Sequence, residues 1–217
     1  MMTTRFEDLV GATRVVPVVT LPDAASAVPL AEALVAGGLP VLEVTLRTEA
    51  ALESIERIAG AVPRAVIGAG TVNTPEQLRD ARGAGAQFIV SPGCTDALVA
   101  AAAEAGGAFL PGAVTASEIL RLIEHGISLM KFFPAEASGG VAALKALAGP
   151  FPAVRFCPTG GISLARALDY LALANVACVG GAWMVPADLI ARGDWGAITA
   201  LASEASAATS RPAPVAA

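Results

Sequence analysis

Apolar runs recur along the chain at 15–20, 40–45, 65–70, 87–91, 108–111, 128–133, 154–158 and 176–180. Their starts lie 20 to 26 residues apart, room for one strand, one helix and two turns. Most are continuous rather than alternating, as parallel strands covered on both faces must be. The polar segments between them begin with helix-start signals. Thr74-Pro75-Glu76-Gln77 offers a cap, a proline at the first helical position and a capping-box glutamine. Thr115-Ala116-Ser117-Glu118 is a capping box. Asp23, Thr48, Thr95 and Ser163 are further candidate caps. Residues 3–12 read as a short amphipathic helix ahead of the first strand. Eight alternating βα units leave no room for a second domain, so the pattern predicts an α/β chain folded as a single (β/α)8 TIM barrel. An open doubly wound sheet is the alternative. The weakest strand is 108–111, which is short and contains Pro111. The barrel is expected over residues 1–205, with 206–217, which lack periodicity, as a disordered tail.

Composition narrows the partners. Of 217 residues, 55% are hydrophobic and only 15% charged, consistent with much buried strand. The net charge of -5 and the absence of a basic cluster argue against nucleic acid. Mean hydropathy is high, +0.65, but glycine, proline and charge break the apolar runs before they reach membrane-spanning length. The N-terminus has no signal-peptide pattern. Cys94, Cys157 and Cys178 are odd in number, lack metal-ligand spacing and read as buried small residues in a reducing compartment. A cytoplasmic protein without membrane association is the expectation.

The chemistry gathers around 126–136, GISLMKFFPAE. It sets Lys131 among Leu129, Met130, Phe132 and Phe133. Burial disfavours the ammonium form, and a free amine is a nucleophile suited to Schiff-base formation. A snorkelling or ion-paired lysine is the competing reading. Glu43 is likewise an ionisable group inside a buried run, and both fall near strand ends, where barrels place their chemistry. Together they read as a nucleophile beside a general acid/base, against the alternative of a structural ion pair. Arg47, just past its strand, is a natural carboxylate partner, though a solvated loop arginine is the commoner fate. The glycine pairs Gly160-Gly161 and Gly180-Gly181 follow the last two runs, the usual phosphate site of such barrels. His125, the single histidine, reads as a helix C-terminal residue, and no ligand cluster suggests a metal. Trp183 and Trp195 read as packing or subunit contacts rather than ligand stackers.

In order and spacing, EVTLRT, GAGTV, SPG, MKFFPAE, PTGGI and GGxW resemble the 2-keto-3-deoxy-6-phosphogluconate aldolases, from about Val15 to Trp195. The resemblance implies a class I, cofactor-free and metal-free aldolase on a (β/α)8 barrel, usually a homotrimer, in the Entner–Doudoroff pathway. Many members also cleave 4-hydroxy-2-oxoglutarate. It implies that Lys131 forms the Schiff base and that Glu43 is the general acid/base. Arg47 and Thr71 would hold the carboxylate of the pyruvyl end, with Pro92 and Phe133 lining the pocket. Thr159 would sense the hydroxyl configuration. Gly160, Gly161 and Gly181 would offer backbone donors to the distal phosphate. Many members carry serine where this chain has Ala182, which removes one donor from a charged ligand, worth about 1.5–3 kcal/mol. Competing expectations are the galactonate epimer or the unphosphorylated acid as substrate, a phosphate-binding barrel of another reaction class, and a non-enzymatic scaffold.

Overall fold

The computed structural model describes residues 6–10 and 14–210. Among the described residues there are eight strands: β1 (Val15–Val19), β2 (Val41–Thr45), β3 (Val66–Gly70), β4 (Phe88–Val90), β5 (Ala108–Leu110), β6 (Leu129–Phe132), β7 (Arg155–Pro158) and β8 (Val179–Gly181). Each lies on one of the eight apolar runs. Helices α2 (Ala27–Ala36), α3 (Ala51–Ala61), α4 (Pro75–Gly83), α5 (Asp96–Ala105), α6 (Ala116–Glu124), α7 (Gly140–Ala148) and α8 (Leu164–Leu171) alternate with them. Helix α1 (Phe6–Val10) precedes the barrel, and α9 (Ala187–Arg192) and α10 (Trp195–Thr209) follow it.

The strands are parallel and run β5-β4-β3-β2-β1-β8 in one sheet and β6-β7 in another. Bridges Gly112↔Lys131, Phe156↔Val176 and Thr159↔Gly180 join the two sheets at both seams, so the barrel closes. The open-sheet alternative is excluded. The short fifth strand is real but ends at Leu110, just before Pro111, whose carbonyl accepts from Lys131 N at 2.7 Å.

Side-chain alternation divides the core into two layers. Leu42, Val44, Met130 and Phe132 point outward and pack under the helices. Val41, Phe88, Val90, Leu110 and Cys157 point inward, and Phe6 of α1 joins them, its ring edge-on to Phe88 at 5.1 Å. Helix α1 therefore plugs one end of the barrel with apolar atoms. Its residues 3–5 and 11–12, included in the expected helix, lie outside the described residues.

The caps fall mostly where the sequence placed them. Thr74, Thr95, Thr115 and Ser163 each accept from a backbone N–H of the following helix, and Thr115 with Glu118 completes a capping box. Gln77 reaches back to Asn73 N, one residue beyond the expected position. Asp23 accepts from Ser26 N and stabilises the turn before α2. Thr48 is a correction: it does not cap α3, whose cap position is Ala50, and instead donates to the Leu21 carbonyl at 2.7 Å. Helix α10 continues to Thr209, past the expected end at 205, because Ala202 and Ala205 are buried in the core. Gly37 makes that docking possible, since a side chain there would run into Ala202. Residues 211–217 of the expected tail lie outside the described residues. Among the described residues no helix is long and apolar enough to cross a membrane.

Replacing Thr115 by alanine removes one arm of the capping box and should cost about 1 kcal/mol. Urea unfolding should show a lower midpoint at unchanged slope, and an unchanged midpoint would show the cap to be idle.

Candidate active site

Above the apolar plug the barrel interior turns polar. Glu43, Thr45, Lys131 and Thr159 are all buried. Lys131 is fixed by its backbone before its side chain is considered. Its N–H donates to Pro111 O, and its carbonyl accepts from Ala113 N at 2.9 Å, so it sits at the β5–β6 seam. On its other side it is in register with Cys157 of β7. Gly112, opposite Lys131, leaves room for the Pro92 carbonyl, which a side chain at 112 would displace.

Glu43 comes from β2, 88 residues away in sequence, yet its Oε1 lies 3.1 Å from Lys131 Nζ. The two side chains are only 4% and 6% exposed. Gly70 of β3 makes this possible, because a side chain there would fill the space of the Glu43 carboxylate. The contact has two proton arrangements: ammonium with carboxylate, or amine with carboxylic acid. The two differ by one proton passed along the hydrogen bond from nitrogen to oxygen. A lysine without its extra proton is the nucleophilic form of the residue. The face of Phe133 lies 5.4 Å from Nζ, at cation–π distance.

The other sequence-derived positions surround this pair. Thr159 is buried and its Oγ1 donates to Cys157 O at 3.4 Å. Gly160 and Gly161 have φ of +105° and +76°, which a residue with a side chain adopts only under strain. Gly160 packs on Phe133 and Pro134. Arg47 is exposed in the turn after β2, and among the described residues it forms no ion pair. Thr71 follows Gly70 with φ of +60°, an unfavourable conformation for a β-branched residue and one that concentrates at working sites. Ala182 is exposed just beyond β8.

Gly180 and Gly181 require a correction. They lie inside β8 rather than in a loop after it, and neither has a positive φ. Gly180 must be glycine because Thr159 fills the space of its side chain, and Gly181 because the Trp183 ring does. Cys94 is half-buried rather than buried, and partial burial pushes its thiol up to about 11. His125 ends α6 as expected, with Asp96 3.5 Å away.

Two features escaped the sequence reading. Thr20, exposed at the end of β1, shares a 2.9 Å hydrogen bond with Thr45, placing paired hydroxyls above Glu43. Glu136 does not face Lys131. It accepts from the buried Tyr170 hydroxyl and from the Arg166 guanidinium, whose Nε and Nη2 lie 3.2 and 3.0 Å from Oε2. The Tyr170 hydrogen bond first, and then Arg166, hold the Glu136 carboxyl below the usual range against the opposing effect of desolvation. Glu136 was visible within the KFFPAE motif, but its partners lie 30 and 34 residues onward, with no local signal.

Comparison with known proteins converges on one family. The family model for KDPG and KHG aldolase matches residues 6–201. The 2-dehydro-3-deoxy-phosphogluconate aldolase of Dickeya dadantii is 55% identical over 93% of this chain and 95% of its own length. A KDPG aldolase structure from Legionella pneumophila, with pyruvate captured as a covalent carbinolamine intermediate, superposes with a TM-score of 0.89. It is 45% identical, over 94% of this chain and 98% of the other. The Zymomonas mobilis 2-keto-3-deoxy-6-phosphogluconate aldolase with 3-phosphoglycerate gives 0.88 at 48% identity, over 97% and 99%.

If the Lys131–Glu43 pair is as desolvated as its geometry indicates, Glu43→Leu should cost about 3–5 kcal/mol by leaving the amine unpartnered. The double variant Glu43→Leu/Lys131→Met should recover most of that loss. Denaturant titration of the two proteins decides it, and a single-variant loss below about 1 kcal/mol would mean that the pair is solvated.

Proposed function

Because the chain belongs to the KDPG and KHG aldolase family, we propose that it is a class I, metal-independent aldolase. In this reading it cleaves 2-keto-3-deoxy-6-phosphogluconate to pyruvate and D-glyceraldehyde 3-phosphate. The observation that carries the mechanism is the Lys131 amine, buried and 3.1 Å from the Glu43 carboxylate.

Lys131 Nζ, relieved of its extra proton, attacks the C2 carbonyl carbon, and the carbinolamine loses water to give a protonated imine. The imine draws electrons, so the C3–C4 bond breaks toward it. Glu43, directly or through water, takes the C4 hydroxyl proton as the aldehyde leaves. The remaining enamine regains a proton at C3 from Glu43, and hydrolysis frees pyruvate and Lys131. One carboxyl serves twice because each step returns it to the state the next requires.

Arg47 and Thr71, at the ends of β2 and β3, hold the substrate carboxylate in this reading. Pro92 and Phe133 form the walls. Thr159 meets the C4 hydroxyl region. Gly160, Gly161 and Gly181 direct backbone N–H groups at the distal phosphate, aided by the N-terminus of α8. Ala182 supplies no hydroxyl there, which favours a second reading in which unphosphorylated 4-hydroxy-2-oxoglutarate is also cleaved. The homotrimer and the cytoplasmic location belong to the same proposal. The resemblance supports the trimer, and exposed Leu120 and Ile123 on α6 give an interface apolar surface to cover.

Borohydride reduction in the presence of pyruvate should attach one pyruvyl group to Lys131, detected by peptide mass, and Lys131→Ala should lose both adduct and turnover. An unmodified wild-type mass would eliminate the imine. Ala182→Ser should lower KM for the phosphorylated substrate by about tenfold or more while leaving 4-hydroxy-2-oxoglutarate unaffected. Equal changes for both substrates would remove Ala182 from the phosphate site.

A further inference from the structure

The carboxylate of Glu136 is spoken for on both oxygens. Tyr170, itself fully buried, donates to Oε1, while Arg166 forks onto Oε2 and sends its remaining nitrogen to Asp169 at 3.0 Å. Arg166, committed to two carboxylates, is not a free cation awaiting a phosphate. Glu136 and its neighbour Ala135 are bound to the β7–α8 turn in three ways. The Glu136 N–H donates to Gly160 O at 3.3 Å, and Ala135 N donates to Thr159 O at 2.8 Å. The Glu136 Cβ and Cγ form the floor under Gly161, close enough that any side chain at 161 would press on them. Gly140, at φ +60°, brings the start of α7 past the Tyr170 hydroxyl and the Glu136 carboxylate, so the clamp reaches a third element.

The clamp thus ties the loop after β6 to the turn after β7. Those two segments carry different parts of the proposed site. The first leads back to Phe133 and Lys131, and the second presents Gly160 and Gly161. Glu136 faces the second. We propose that Glu136, gripped by Tyr170 and Arg166, is a positioning residue for the distal phosphate of the substrate. It sets the height of the Gly160-Gly161 turn and takes no part in the imine chemistry. The proposal rests on the aldolase reading above and adds to it a determinant of selectivity between phosphorylated and unphosphorylated 2-keto acids. Preorganised N–H donors lose their advantage when their backbone is free to drift, even if each donor is still present.

The test measures Glu136→Ala, Glu136→Gln and Tyr170→Phe against both 2-keto-3-deoxy-6-phosphogluconate and 4-hydroxy-2-oxoglutarate. Glu136→Ala should raise KM for the phosphorylated substrate by about tenfold or more, with kcat within a few-fold. Values for 4-hydroxy-2-oxoglutarate, and the borohydride-trapped pyruvyl adduct on Lys131, should stay at wild-type levels. Glu136→Gln, which keeps the side-chain shape and one acceptor, should restore part of the lost affinity. If Glu136→Ala fails to fold, Tyr170→Phe, which removes one oxygen atom, decides the matter by the same readings. A parallel loss on both substrates would make the clamp merely structural, and no change on either would make it idle; both overturn the proposal. Failure of the wild-type protein to trap pyruvate is a separate result that strikes the aldolase reading instead.

Discussion

One hydrogen-bonded contact, between an amine and a carboxylate shut away from water, sets the terms for the rest of this barrel. Lys131 and Glu43 are costly groups to bury, and the cost is met only while each has the other. Several neighbouring positions are what they are because of this contact. Gly70 is bare so that the carboxylate fits. Gly112 is bare so that the β4 and β5 ends can close around the lysine. The apolar plug of Phe6, Phe88 and Leu110 seals the barrel below, so the pair is reached only from the carboxyl ends of the strands.

Around this fixed centre the site divides into regions with separate supports. Lys131 and Glu43 are carried on strands, where register leaves little freedom. Gly160 and Gly161 lie on the turn after β7, held by hydrogen bonds from Ala135 and Glu136 rather than by a strand ladder. In the proposed reading, that division lets contacts to a distal group vary without disturbing the amine and the carboxylate. Ala182 is exposed and bordered by a strand end, so a substitution there disturbs little of the fold.

The barrel was legible in the chain because each strand is a dense apolar run and each helix start is marked by a residue with a local job. Thr74 and Thr115 cap by reaching three residues onward, and a three-residue reach is visible in a sequence. Thr48 looked the same but bonds to Leu21, 27 residues back, a partner that no local pattern reveals. Glu43 and Lys131 stood out for the opposite reason: each violates the apolar character of its own strand. What stayed hidden were causes lying across the barrel. Gly180 and Gly181 read as a phosphate-site pair beyond the last strand, whereas they lie in β8 and leave space for Thr159 and Trp183. The left-handed backbone of Thr71 has no signature in its residue type. Tyr170 reads as a core residue of an amphipathic helix, and only the fold brings its hydroxyl to Glu136.

The central claim is that Glu43 moves protons at the carbon next to the Lys131 imine. Deuterium exchange into the methyl group of pyruvate, followed by proton NMR in heavy water, isolates that step from aldehyde chemistry. The wild-type protein should exchange the methyl protons. Glu43→Gln should lose the exchange while still yielding a borohydride adduct at Lys131. Exchange that persists in Glu43→Gln would give the proton transfer to another group and leave the buried pair as structure alone.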